Sequence, residues 1–385
     1  MPDASDRRVT VVHLITTLGQ GGAERALSLV VPGPEEASEH GEHHVVVSLA
    51  PGGMFVDLIR DRGIEVRDLG MRPGRDLLVG LLRFRRLIRE LRPTHVIAWM
   101  YHAMFLADLT SLLPLQRRSR PRHVWMIQGS LHTTEGLPWH TRAIIRVLAR
   151  RSPAPDAIAI NSDTGRDHHI AHGYDPRRWV SVPSGCDTTV SRPDAIDRRA
   201  VRHELGISEG AIVAIAVARD HPQKDHPTMI AAMERAHESV DRLELLLVGT
   251  RTERFARQRS NGLMVHGLGE RGDVTRLLRA ADLVVSSSIT EGMPNALLEA
   301  MASGLPAAVT DVGDCRAAVG EAGHVVAPHD PEALADAIVQ LAALPPDARH
   351  ALGARARSHI IAEFGVERAR SAYRALWGPE PARIA

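Results

Sequence analysis

Short apolar runs alternate along the chain with longer stretches in which apolar positions recur at helical spacing. Residues 9–15, 45–49, 96–99, 124–127, 157–161 and 180–183 read as strands. Continuous apolar runs of this length are what a parallel sheet needs when both its faces are covered. The amphipathic stretches between them, 83–91 for instance, read as helices. This alternation predicts parallel βαβ units and the α/β class. The pattern breaks over 183–202, where Pro183, Gly185, Pro193 and a run of aspartates and arginines intervene. It then restarts with expected strands at 212–217, 244–248, 263–265, 283–286, 307–309 and 324–326. The expectation is therefore two Rossmann-like, doubly wound domains, 1–186 and 187–365. They face each other across a cleft at their strand C-termini, where such sheets bind ligands. Residues 346–376 read as helical, and 366–385 as a segment that crosses back to the first domain.

Composition narrows the function. Two domains suit 385 residues, and 44% apolar residues suffice for two cores. A formal net charge of +1 and 3% aromatic residues argue against a nucleic-acid partner, which calls for a basic excess or stacking platforms. Cys186 and Cys315 have no metal-ligand or CxxC spacing, so they read as reduced thiols of a cytoplasmic protein. Asp3 and Asp6 interrupt any basic leader, and no apolar run has membrane-spanning length.

The most informative segment follows the expected strand 283–286. Residues 287–293 read as a loop, Pro294 as the first residue of a helix, and Gly304 and Pro306 as its stop. Unpaired N–H groups and the helix dipole at such an N-terminus favour a phosphate or a polar sugar. Glu299, on the second turn, is suited to accept paired hydrogen bonds from a ribose diol. Glu291, in the loop, is suited to reach a second sugar. Two glutamates alone would more often be solvated acids of an ordinary α/β connection. Arg219 and Lys224 follow the strand 212–217 and offer a planar fork and a point charge to a developing anion. An isolated pair at that spacing would be a solvated loop. Gly19, Gly21 and Gly22 follow the first strand, but Glu24 stands where a dinucleotide fingerprint needs glycine. His102 follows the strand 96–99 at its C-terminal edge, and a structural histidine is nearly as good a reading. His168 and His172 have metal-ligand spacing without an evident third ligand, so no metal is expected.

Taken together these segments resemble the family-4 retaining glycosyltransferases of the GT-B fold. The E-x7-E signature appears as EGMPNALLE, Glu291 to Glu299, and continues as AMASGLPAAVTDVGD. LGQGGAERAL is similar to the family's N-terminal Gly-Gly loop, AVARDHPQKD to its Arg…Lys segment, and VHGLGERGDVTRLL to the loop before the signature strand. The resemblance implies a nucleoside-diphosphate-sugar donor, with UDP-sugars favoured, and an acceptor hydroxyl on a glycan, glycolipid or natural product. It implies retention at the anomeric carbon and no cofactor. The absence of any Asp-x-Asp motif agrees with metal independence. It assigns catalysis to Arg219, Lys224 and Glu291, to which His102 is added on its position after the strand 96–99 alone. It assigns donor binding to Gly21, Gly22, His266, Gly267, Gly292, Met293, Pro294, Asn295 and Glu299. Gln128 departs from the pattern, because many relatives carry histidine there, and whether Gln128 or His132 takes that role stays open. Basic stretches over 83–92 and 142–151 are candidates for peripheral contact with an anionic inner-membrane face, although a solvated face is the commoner meaning. Two rivals remain: a sugar-nucleotide 2-epimerase of the same fold, and a partner subunit that binds donor without turnover. The donor sugar and its base, the acceptor and its linkage, and the oligomeric state are not legible.

Overall fold

A computed structural model describes residues 9–19, 21–72, 75–113, 120–207, 210–259 and 261–378. Contacts divide the chain into an N-terminal unit, Met1–Gly185 with Glu367–Ala385, and a C-terminal unit, Cys186–Val366. The final residues, 379–385, of the segment expected to cross back lie outside the described residues.

The N-terminal unit contains β1 (Val9–Ile15), β2 (Glu42–Ser48), β3 (Glu65–Asp68), β4 (His95–Trp99), β5 (Arg122–Ile127), β6 (Ala157–Ile160) and β7 (Trp179–Ser181). They form one parallel sheet in the order β3-β2-β1-β4-β5-β6-β7. The period of two splits β1 between two cores: Val12 and Leu14 pack on one face, Val11 and Ile15 on the other. The second of these cores also takes Ala369, Tyr373, Leu376 and Trp377 from the end of the chain. The helix Val366–Arg374 is further tied down by Arg370, whose guanidinium donates to the Leu29 carbonyl at 3.0 Å. Arg374 pairs with Glu36 at 3.1 Å and Glu42 at 3.4 Å.

A buried polar chain runs beneath this helix. His44 is hydrogen-bonded to Glu42 at 3.0 Å and to His13 at 3.0 Å, and the Trp99 indole donates to His13 Nδ1 at 3.4 Å. The indole can only donate, so His13 carries its proton on Nε2 and donates to His44 Nδ1. His44 in turn donates from Nε2 to the Glu42 carboxylate. Burial, then the neighbouring His44, lowers the His13 pKa well below its ordinary value, which keeps the ring neutral.

The C-terminal unit contains β8 (Ile212–Val217), β9 (Leu243–Val248), β10 (Arg257–Gln258), β11 (Met264–Gly269), β12 (Leu283–Ser286), β13 (Ala307–Thr310) and β14 (Gly323–Val326). Their order is β10-β11-β9-β8-β12-β13-β14, parallel except for the edge pair β10–β11. Both units are Rossmann-like, as the alternation predicts. In each the strand order reverses beside its first strand, which lies between β2 and β4 in one unit and between β9 and β12 in the other.

Four local expectations change. Glu65–Asp68 is a strand that the apolar pattern misses, because at a sheet edge it needs no continuous apolar run. The two-residue β10 is too short to leave a pattern. The expected strand 263–265 runs on through Gly269, so His266 and Gly267 belong to β11 rather than to a loop. Pro294 is the N-cap, not the first helical residue, and the helix is Asn295–Ala302.

Candidate functional site

The C-terminal unit concentrates its chemistry where its strand order reverses. After β8 the chain carries Arg219, turns through Pro222–Lys224, and enters the helix His226–His237. After β12 it carries Ser287, Ser288, Glu291 and Gly292 into the helix Asn295–Ala302. The open crevice beyond such a reversal is where doubly wound sheets take ligands.

The two loops are bonded to each other. Lys224 Nζ donates to Glu291 Oε1 in an ion pair whose side chains are 25% and 14% exposed. The Ser287 hydroxyl meets the carbonyls of Lys224 and Asp225, each at 2.8 Å, and the Ile289 N–H donates to the Gln223 carbonyl at 2.9 Å. The Ser288 hydroxyl donates to the same Glu291 Oε1 at 2.7 Å. Thr310, at the end of β13, donates its hydroxyl to the Ser288 carbonyl at 2.6 Å. Behind Glu291, Asp314 N–H donates to the Gly292 carbonyl at 3.0 Å. A Cβ at Gly313, whose φ is +55°, would lie 2.3 Å from the Gly292 oxygen, so only glycine lets these loops approach. Burial, with Glu291 adding to it, pushes the Cys315 thiol up to about 12, which leaves it protonated and inert.

Glu299 is 8% exposed on the second turn of its helix. Met293, Pro294 and Asn295 form the entry to that helix, where the first N–H groups have no acceptor one turn earlier. Arg219 is exposed and makes no ion pair with a described residue. Its loop is braced from β9: Asp220 N–H donates to the Thr250 carbonyl at 2.9 Å, and Arg254 pairs with Asp220 at 2.8 Å. Gly249, with φ +144°, allows this, since a Cβ there would lie 2.4 Å from the Ala218 oxygen.

Not every candidate joins this cluster. His266 Nε2 lies 2.7 Å from Glu244 Oε2, across β11 and β9 and away from the reversal. Gly267 makes room for backbone, because a Cβ there would lie 2.3 Å from the Thr252 oxygen.

In the N-terminal unit, Gly21 caps the helix Gly22–Val30 after β1, and His102 lies in the first turn of the helix Met100–Leu112 after β4. Both therefore stand at that sheet's own reversal, beside β1. Burial, then His140, lowers the His102 pKa. The Gln128 amide donates to the Tyr373 hydroxyl at 2.5 Å, which ties it to the last helix. His132 is exposed and stacks edge-on against His168 at 5.2 Å. Among the described residues no group of three or more histidine, cysteine or acidic side chains has metal-binding geometry.

Ser287, Ser288, Thr310 and Gly313 were not singled out in the sequence. The hydroxyl run Ser286–Ser288 just ahead of Glu291 was the available signal; Thr310 and Gly313 lie in the AMASGLPAAVTDVGD continuation of the signature, but nothing in it pointed to partners on other loops.

Comparisons agree in both halves. Residues 11–190 match the family model described as Glycosyltransferase Family 4, and residues 211–343 match that of Glycosyl transferases group 1. The chain is 33% identical over 245 residues to a D-inositol 3-phosphate glycosyltransferase of Geodermatophilus obscurus, covering 58% of this chain and 53% of that protein. It is 30% identical over 213 residues to a phosphatidyl-myo-inositol mannosyltransferase of Mycobacterium leprae, covering 53% and 51%. The chain thus spans about half the length of the curated relatives it matches. Its fold is similar to that of HepE of Anabaena in complex with UDP, with a TM-score of 0.79 at 19% identity over 96% of this chain and 99% of that one. WaaG, a glycosyltransferase involved in lipopolysaccharide biosynthesis, gives a TM-score of 0.71 at 19% identity over 96% and 100%.

Proposed function

Because the chain belongs to the group 1, family 4 glycosyltransferases and has their GT-B fold, we propose that it transfers a sugar from a nucleoside diphosphate sugar to an acceptor hydroxyl. The observation that carries this reading is the meeting of Lys224, Glu291 and the Glu299 helix at the strand reversal of the C-terminal unit.

As the glycosidic bond breaks, the nucleoside diphosphate gains about one negative charge. Lys224 and Arg219 stabilise it with fixed positive charge. Glu299, nearly buried and on a helix, holds the ribose diol. Glu291 and the backbone of Gly292–Asn295 orient the donor sugar, with Met293 and Pro294 shaping the turn. Transfer retains anomeric configuration by attack on the face the leaving group vacates, through an oxocarbenium-like state that needs no protein nucleophile. The acceptor proton passes to the departing phosphate oxygen. The backbone at Gly21 and Gly22 approaches the donor phosphates or the acceptor, and His102, kept neutral by burial, acts beside them. His266 and Gly267 keep only a supporting part, given their own contacts.

A UDP-sugar is the favoured donor, since HepE was crystallised with UDP and with UDP-glucose. The relatives named for inositol phosphates favour a polyol or glycan hydroxyl as acceptor. The helix Leu77–Leu91 exposes Leu78 (75%) and Leu82 (66%) beside Arg83, Arg86 and Arg89, which fits peripheral contact with an anionic bilayer. No described helix is long and apolar enough to cross a membrane. Absence of co-sedimentation with anionic vesicles at low salt removes the membrane contact.

The central test is a thermal-shift screen of UDP-, GDP-, ADP- and dTDP-sugars, followed by release of nucleotide with polyol and glycan acceptors. At least one donor should stabilise the protein and be consumed. If none binds and none is consumed, the reading is wrong.

A further inference from the structure

The bonding around Glu291 carries an inference that rests on the donor reading above. Glu291 Oε1 is shared: it accepts from the Lys224 ammonium and from the Ser288 hydroxyl. The two donors differ in mobility. The Lys224 main chain is pinned by the Ser287 hydroxyl and by the neighbouring Ile289–Gln223 bond, but its side chain is one quarter exposed and long. Ser288 is 2% exposed, and its own carbonyl is held by Thr310, itself 1% exposed. The ammonium is therefore able to swing about a fixed anchor, while the hydroxyl stays where it is.

A diphosphate carries more charge than one carboxylate and presents several acceptor oxygens, so it outcompetes Glu291 for this partly exposed ammonium. Losing that cation would release the Glu291 side chain at the moment it has to meet the donor sugar. We propose that Ser288 is a positioning residue, which holds Glu291 for the sugar while the incoming diphosphate takes Lys224 away from it. The Lys224–Glu291 pair is on this account exchanged on donor binding, and is not a permanent strut.

The two alternatives give opposite signs. In the exchange, Glu291 competes with nucleotide for Lys224. Removing its charge in Glu291→Gln then tightens binding of the nucleoside diphosphate by roughly two- to fivefold, the range of a partly exposed ion pair. In a permanent strut, the same variant leaves Lys224 misplaced and weakens that binding.

Ser288→Ala separates sugar from nucleotide. It leaves the Kd for the diphosphate at the wild-type value. The affinity for the intact donor falls by roughly tenfold or more, the range for losing a hydrogen bond to a charged group. Ser288→Thr keeps a hydroxyl and restores most of the donor affinity.

The experiment is isothermal titration calorimetry of the full chain with two probe pairs, UDP with UDP-glucose and GDP with GDP-mannose, on wild type, Ser288→Ala, Ser288→Thr and Glu291→Gln. Tighter diphosphate binding by Glu291→Gln, with selective loss of donor affinity in Ser288→Ala, supports the exchange. Weaker diphosphate binding by Glu291→Gln overturns it, as does an unchanged ratio of donor to diphosphate affinity in Ser288→Ala. Should Ser288→Ala fail to fold, the sign of the Glu291→Gln effect decides alone. Wild type that binds neither pair removes the donor reading itself, and the exchange with it. Wild type that binds while the variants disobey removes only the exchange.

Discussion

The two units arrange their strands alike around a central first strand but put their charge in different places. In the N-terminal unit Glu42, His44 and His13 form a file through the interior, and Arg374 on the final helix closes it. In the C-terminal unit the Lys224–Glu291 pair stands at the carboxyl ends of the strands, partly open to water. That unit's interior ion pair, Arg202–Asp282, lies at the other end of β12 at 2.6 Å and fastens the helix Ala195–Glu204. One sheet plan thus serves two purposes. Charge in the interior anchors an element, whereas charge at the reversal is available to a ligand. The plan itself does not say which unit holds a ligand; that has to be argued from the side chains at each edge.

The sharpest way to break this comparison is to remove charge from the C-terminal edge. Lys224→Ala is expected to lower the rate of nucleotide release by about 10²–10³-fold, the range for deleting one preorganised charge-stabilising donor. Its melting temperature should stay close to wild type, because the pair it breaks is partly exposed. A near-normal rate would move the chemistry elsewhere.

Acid should act on the other unit. Burial lowers the histidines His13, His95, His102, His123, His168 and His169 of the N-terminal unit, but among described residues only His226 of the C-terminal one. Each lowered imidazole is neutral when folded and takes up a proton on unfolding below pH 6.5, so stability present above that pH drains away as pH falls. For His123 and His169, both pushed to about 4, the loss between pH 6.5 and 4 is on the order of 3 kcal/mol each. Amide exchange should show β4 and β5 losing protection before β8 and β9. The reverse order would contradict this account.

A smaller effect sharpens the comparison within the C-terminal unit. Gly313→Ala forces an L residue to a left-handed φ, at a cost of about 1–2 kcal/mol. It also pushes its Cβ onto the Gly292 oxygen. We expect a modest fall in melting temperature and a larger rise in donor KM, because the displaced backbone carries Glu291. A fall in stability with an unchanged KM would show that the Glu291 loop is not fixed from behind.

What could be read without coordinates was local. Alternating apolar runs announced two parallel α/β halves, because a strand covered on both faces has to be apolar throughout. The segment from Glu291 to Glu299 announced a loop and a helix, and Arg219 and Lys224 lay after a strand as expected. The half-buried edge strand Glu65–Asp68 escaped because nothing compels it to be apolar. The apolar run ended at Val265 and the resemblance put His266 in a loop, yet pairing with β9 carries β11 through Gly269.

The sequence by itself determined the α/β class and the division into two repeating halves, and it supplied the candidate residues on which the proposed donor site rests. Only the tertiary structure decided that Lys224 meets Glu291 across 67 positions, that Ser288 and Thr310 support that carboxylate, and that the last helix completes the first unit's core. The reason is the range of the forces involved. Periodicity records whether a residue faces water or protein. Which strands lie side by side, and so which side chains share a carboxylate, is settled only when the whole sheet packs.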